Sequence, residues 1–301
     1  LFILPFTVLA DSYLTDSVAG STTNTLKTFL NIGDEVTIIN FNSVDDYTIT
    51  SDYTDLSRDL DNSVRAKIDS NVLNIEFKGK LVLSDCEFMF YNFQKVTNIN
   101  GLSNFDTSFI SSFYGMFAYC CVLKELDLRG FNTSKVTSFQ HMFRSCRSLT
   151  SLDLSSFDTY NALNIDFMFY DCESIESLDV SNFDTHNVLS MLSMFFNMQS
   201  LTSIDVRSWD VSNVIEMSNL FGMCLNLEYI DLSTWVTNSV QYMKAMFSCG
   251  LEGDFVTHLK KVDFGPGWDT SKVTTMLSLF FNCGEVVSVD LSYFDTITRL
   301  L

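Results

Sequence analysis

The sequence predicts an α/β solenoid: stacked coils with a parallel sheet on one face, short helices on the other, and a cap at the N-terminal end. Three observations lead there. A 26-residue period runs through most of the chain, each period holds two textures of apolar spacing, and the composition can fill a long core. Of the 301 residues 47% are hydrophobic and 14% aromatic, more than a disordered chain carries. The period is set by Asp127, Asp153, Asp179, Asp205 and Asp231, each 26 residues after the last, followed by Asp263 after 32 and Asp290 after 27. Gly101 holds the same slot in a divergent first repeat. A single coil of this length cannot bury its apolar side, so neighbours must stack.

Taken in order, residues 1–10 (LFILPFTVLA) are almost wholly apolar and end in Val8-Leu9-Ala10 before Asp11. They read as the remnant of a secretory signal peptide. Residues 11–80 carry no echo of the period, are rich in Ser, Thr, Asn and Asp, and hold β-type runs at Val36–Phe41 and Val72–Phe77. They read as an N-terminal capping region covering the open edge of the first coil, with a separate small domain as the alternative. Residues 81–301 hold about eight repeats, the last truncated. Within a repeat, Leu152-Asp153-Leu154-Ser155 alternates as a half-buried strand does. Val136, Phe139, Met142, Phe143 and Cys146 follow helical spacing, with Lys135, His141 and Arg144 off that face and Thr133 or Ser134 placed as the helix cap. The one long insertion, Gly250–Lys261, is a second candidate contact, and Gly265-Pro266-Gly267 reads as a turn.

Charge narrows the function classes. Lys and Arg number 18 against 37 acidic residues, a formal charge of −19, which repels nucleic acid and anionic lipid. No segment is long and apolar enough to span a bilayer. If Leu152 and Leu154 point inward, Asp153 faces out, and Asp127, Asp153, Asp179, Asp205, Asp231, Asp263 and Asp290 form a ladder. A second column, Asp106, Asp158, Asp184, Asp210, Asp269 and Asp295, falls in the following turn, where aspartates bond their own backbone. Like charges on adjacent strands repel, so the ladder is either solvated, bridged by Ca²⁺ (possible but not favoured), or matched by a basic partner. The candidate partner-binding residues are Asp127, Arg129, Asp153, Ser155, Asp179, Ser181, Asp205, Arg207, Asp231 and Ser233. Arg129 and Arg207 interrupt the serine column as compensating charges or specificity points.

Catalytic patterns are missing from the sequence. It contains no G-x-S-x-G, H-E-x-x-H, P-loop or EF-hand loop, and its three histidines share no repeat phase. The expectation is therefore no enzyme, no catalytic residue, no metal site and no cofactor. Cys120, Cys146, Cys172, Cys224 and Cys283 sit three residues after the repeat's Phe, and Cys249 two after, while Met198 fills the slot once. A slot shared by Cys and Met is an apolar interior site. Stacked, parallel thiols suit a disulfide poorly, which leaves the off-column Cys86 and Cys121 as the better candidates for a bond. Phe105, Phe131, Phe157, Phe183, Trp209, Trp235, Trp268 and Phe294 read as a buried aromatic spine, with an exposed carbohydrate-stacking surface as the alternative.

Written out, the repeat is L-x-x-L-D-L-S-x-F-D-T-S-x-V-T-x-M-x-x-M-F-x-x-C, carried most fully by Leu149–Cys172 and Leu123–Cys146. It resembles the repeat of the BspA-like leucine-rich surface proteins, over roughly Phe77 to Leu301, with Phe157 or Trp209 where ordinary leucine-rich repeats place Asn. Met198, Leu220, Leu279 and Val236 depart from the pattern. The resemblance implies a secreted or cell-surface protein that binds an extracellular host or matrix protein through its repeats, without catalysis. Its alternative is a structural spacer or scaffold presenting a further domain.

Overall fold

The computed structural model describes residues 54–55, 64–69, 72–77, 81–82, 86–94, 96–250 and 257–295. The expected leader at residues 1–10, much of the region 11–80 and the middle of the insertion lie outside them. In chain order the strands are β1 (Thr54–Asp55), β2 (Val64–Asp69), β3 (Val72–Phe77), β4 (Leu81–Val82), β5 (Val96–Asn100), β6 (Phe105–Asp106), β7 (Glu125–Leu126), β8 (Tyr229–Leu232) and β9 (Lys261–Phe264). The largest sheet runs β1-β2-β3-β5-β7. Its first three strands are antiparallel, and β3 then lies parallel to β5, which lies parallel to β7. The β2–β3 hairpin thus continues the sheet beyond the first coil. β4 pairs with β6 and β8 with β9, both in parallel.

The segment expected to be helical is a ladder of tight turns. Phe139, His141, Phe143 and Ser145 donate their N–H groups to the carbonyls of Asn164, Asp166, Met168 and Tyr170 in the next coil, at 2.7–3.0 Å. Met142, Arg144 and Cys146 donate within the coil, to Phe139, His141 and Phe143. The carbonyls of Ser138, Gln140, Met142 and Arg144 accept from Phe113, Gly115, Phe117 and Tyr119 of the preceding coil. Alternate residues therefore bond across and along the stack, and the backbone is satisfied without a helix. Two left-handed residues per coil make this possible: His141 and Ser145 at φ 59 and 58, Phe167 and Asp171 at 56 and 58, Ser193 and Asn197 at 52 and 60.

The predicted fold class is corrected on this point. Among the described residues there is no α-helix, only a 3-10 turn at Leu102–Asn104, so the chain is not a helix-plus-sheet solenoid. The left-handed residues forbid a helix, which needs negative φ throughout. The spacing misled because the turn ladder buries the same positions: Val136, Phe139, Met142, Phe143 and Cys146 are all fully buried, while His141 and Arg144 stay half-exposed. Thr133 caps no helix. Its buried hydroxyl donates to the Asp158 carbonyl at 2.9 Å and accepts the Asp158 N–H at 2.7 Å, stapling one coil to the next.

The parallel sheet is also reduced. In the middle coils it shrinks to the isolated parallel bridge of Ser177 with Ser203. Local bonds consume the groups a ladder would use: the Ser155 N–H goes to Asp153 Oδ1 and the Leu154 carbonyl to the Phe157 N–H, at 3.0 and 2.9 Å. Asp and Ser compete with strand pairing in this way. The alternation itself persists, with Asp153 exposed and Leu154 buried.

Two aromatic columns fill the core. Phe117, Phe143, Phe169 and Phe195 stack with ring centroids 5.6–5.8 Å apart and planes within 7°. The second column runs through Phe183, Trp209, Trp235 and Trp268 at 6.2–6.4 Å. Its rings are buried, so a carbohydrate-stacking surface is not available there. Beside them Cys120, Cys146, Cys172 and Cys224 are buried free thiols, each donating to a Phe carbonyl of the preceding coil at 3.0–3.2 Å. Burial pushes these thiols up, Cys224 to about 12, which keeps them un-ionised. No disulfide joins Cys86 to Cys121. No helix among the described residues is long and apolar enough to cross a membrane.

Candidate interaction face

The exposed aspartates of successive coils line one side of the stack, and each is held by the residue two positions on. Asp153 Oδ1 accepts the Ser155 N–H at 3.0 Å and its hydroxyl at 2.6 Å. Asp179 accepts the same pair from Ser181, at 3.0 and 2.7 Å. Asp231 accepts the Ser233 N–H at 2.9 Å. Where arginine replaces serine, the carboxylate is gripped in a fork: Arg129 Nε and Nη2 reach Asp127 at 2.8 Å, and Arg207 reaches Asp205 at 2.9 and 2.7 Å. All ten predicted face residues thus form five i,i+2 units, and all lie at least partly exposed. The Asp-to-own-backbone bond expected of the turn column holds on the strand face as well.

These bonds set the electrostatics. Hydrogen bonds from Arg129 hold Asp127 down at about 2, and those from Arg207 do the same for Asp205. Serine bonds lower Asp153 and Asp179. Asp127, Asp153, Asp179 and Asp205 are therefore ionised at neutral pH. The field is uneven, because two of the five units carry their own counter-charge and three do not. Beyond them Asp263 takes Lys261 Nζ and the Tyr229 hydroxyl, each at 2.8 Å. Among the described residues no group of three or more His, Cys, Asp or Glu is placed to hold a metal ion. A hollow of about 320 Å³ is lined by Ser103–Thr107, Gly130 and Asn132, with Gly130 following directly on Arg129 of the face.

The family model described as Mycoplasma protein of unknown function, DUF285, matches residues 84–201, 171–264 and 255–298, well over half of the chain. The chain belongs to the DUF285 family. No curated protein and no solved structure matches it.

On the turn ladder the DUF285 chain carries a second cluster that sequence reasoning missed. The Arg144 guanidinium lies over the rings of Tyr119, Phe167 and Tyr170, at 5.4, 5.4 and 4.7 Å. Its Nη1 is 3.3 Å from His141 Nδ1, and its buried Nε has no hydrogen-bond partner. His141 stacks on Phe167 at 4.6 Å and meets Tyr114 edge-on. His141 and Phe167 share one slot and Arg144 and Tyr170 another, but neither slot keeps its chemistry from coil to coil, so no column of the sequence revealed the cluster. An exposed apolar column, Leu163, Leu189 and Ile215, was visible in principle from its 26-residue step.

Burial, and then the Arg144 charge, lower His141 to about 4. The sign follows from linkage: between the ordinary histidine value near 6.5 and 4, the unfolded chain takes up a proton that the folded chain refuses. This contribution is therefore intact above the ordinary value and lost as pH falls through that window. A His141→Gln variant should show a shallower loss of unfolding midpoint between pH 7 and 4 than the parent. Parallel pH profiles of the two proteins would refute the assignment.

Proposed function

We propose that this DUF285 chain is an exported, non-catalytic protein that binds an extracellular protein through the aspartate face, as the BspA-like resemblance implies. The observation that carries the reading is the register of five exposed Asp–Ser or Asp–Arg units, Asp127/Arg129 through Asp231/Ser233, each with its carboxylate already oriented. Pre-oriented groups lose little freedom on binding, and an extended row of negative charge suits a basic partner. Hydrolytic chemistry needs two carboxylates in unlike environments within a cleft, and repeated units on an open face supply neither. The apolar opening segment supports export. A spacer or scaffold role is the second reading, and the internal pairing of Arg129 with Asp127 and Arg207 with Asp205 favours it.

The test is a binding screen of the chain from Asp11 to Leu301 against matrix proteins and glycans, at two salt concentrations, with and without Ca²⁺. An Asp153/Asp179/Asp205→Asn variant runs beside it. Asparagine keeps the oxygen that accepts the i+2 N–H, so the variant should stay folded. Saturable binding, weakened at least tenfold in the variant and by added salt, is the expected result. Equal binding by both proteins would remove recognition from this face, and no binding to any probe would leave the spacer reading standing.

A further inference from the structure

We propose that Cys249 and Cys283 are a dithiol pair that closes to a disulfide between neighbouring coils when it meets a low-molecular-weight disulfide such as oxidised glutathione. The regular thiol column keeps its sulfurs apart, each turned to a Phe carbonyl one coil back. Cys249 breaks that rule. It stands two residues after Phe247 instead of three, and the insertion follows it at once. Its sulfur lies 3.6 Å from Cys283 Sγ, and both thiols face the one Phe247 carbonyl, at 3.4 and 3.0 Å.

The surroundings favour reaction. Cys249 is buried while Cys283 is half-exposed, so an oxidant reaches the pair from the Cys283 side. The buried Thr257 hydroxyl has no hydrogen-bond partner of its own. The two sulfurs are 3.6 Å apart and either can donate to the other, which eases the first ionisation of the pair and hinders the second. The reachable Cys283 gives its proton to Cys249 and attacks as thiolate, and Cys249 then resolves the mixed disulfide. Both S–H bonds break and one S–S bond forms. The two electrons and two protons pass to the oxidant, whose own S–S bond breaks to give two thiols. The sulfurs, 3.6 Å apart, must approach by about 1.5 Å to reach a bond of about 2.05 Å. The product would tie down the coil that carries the insertion.

The test uses the unaltered chain, treated with oxidised glutathione in its folded state. The expected result is a mass lower by two hydrogens, two fewer titratable thiols, and a proteolytic map in which Cys249 and Cys283 are joined. The unfolding midpoint should rise by roughly 5–10 °C over the reduced protein, since the link closes a 34-residue segment. A Cys283→Ser variant should form no internal link, and added reductant should reverse every change. Separate glutathione adducts on both cysteines, or a first crosslink at Cys86 and Cys121, would overturn the proposal. So would a folded chain that stays reduced while the urea-unfolded chain oxidises.

Discussion

Replacing Trp235 with alanine should cost about 3–5 kcal/mol, the usual penalty for emptying a buried aromatic site. Trp235 is fully buried, stacked on Trp209 at 6.4 Å and on Trp268 at 6.2 Å with planes within 9°. Its indole N–H donates to the Val206 carbonyl at 2.9 Å. That carbonyl also accepts the Trp209 N–H, so losing the indole leaves it with one partner and adds little. The larger consequence is cooperative. Each coil touches only its neighbours, so a weak coil in mid-stack uncouples the two sides. Urea unfolding followed by circular dichroism should lose its single transition and show two, with a lower apparent m-value. Trp235→Phe, which restores a ring of the kind found at Phe157 and Phe183, should cost about 1–3 kcal/mol and keep one transition. A loss below about 1 kcal/mol for the alanine variant would mean that the stack is not held by this column.

What the sequence revealed, and what it hid, follows from where the side chains carry the information. Coil register, the buried aromatic column and the shared Cys/Met slot are side-chain facts repeated every 26 residues, and the structure places them as expected. The outward direction of Asp153 follows from two inward leucines in the same way. The backbone path does not. The left-handed slot is filled by Gly115, His141, Phe167, Ser193, Asn219, Ala245 and Ser278, a set with no shared chemistry. Gly115 and Asn219 hint at positive φ, as do Asp171, Asn197 and Asn282 in the second left-handed slot, but they recur too irregularly to outweigh a burial spacing identical to that of a helix. A non-glycine residue in that conformation costs about 1–2 kcal/mol, offset here by hydrogen bonds to both neighbouring coils. Those bonds join residues some 25 apart, beyond any local propensity. The meeting of Cys249 with Cys283 was hidden for a related reason: it arises where the register slips, and column logic describes only the regular coils.

The threonine column gives the second large expectation. Thr107, Thr133, Thr159, Thr185, Thr237 and Thr270 are buried, and each hydroxyl donates to a carbonyl of the next coil at 2.9–3.3 Å. Thr159 is representative: it donates to the Asp184 carbonyl at 2.9 Å and accepts the Asp184 N–H at 2.8 Å. Valine has the same shape without the hydroxyl, so Thr159→Val removes both bonds and leaves a backbone donor and acceptor unpaired. That should cost about 2–4 kcal/mol. Thr159→Ser keeps both bonds and loses one methyl, about 1 kcal/mol. The order is diagnostic, because hydrophobic burial alone ranks valine above serine. The chain itself marks the limit of tolerance: Val211 takes this slot once, and the position it faces one coil on, Val236, is also where the turn aspartate is missing. One interruption is compatible with the stack. A Val variant as stable as the parent, or more stable than the Ser variant, would show that these hydroxyls fill space and do not join the coils.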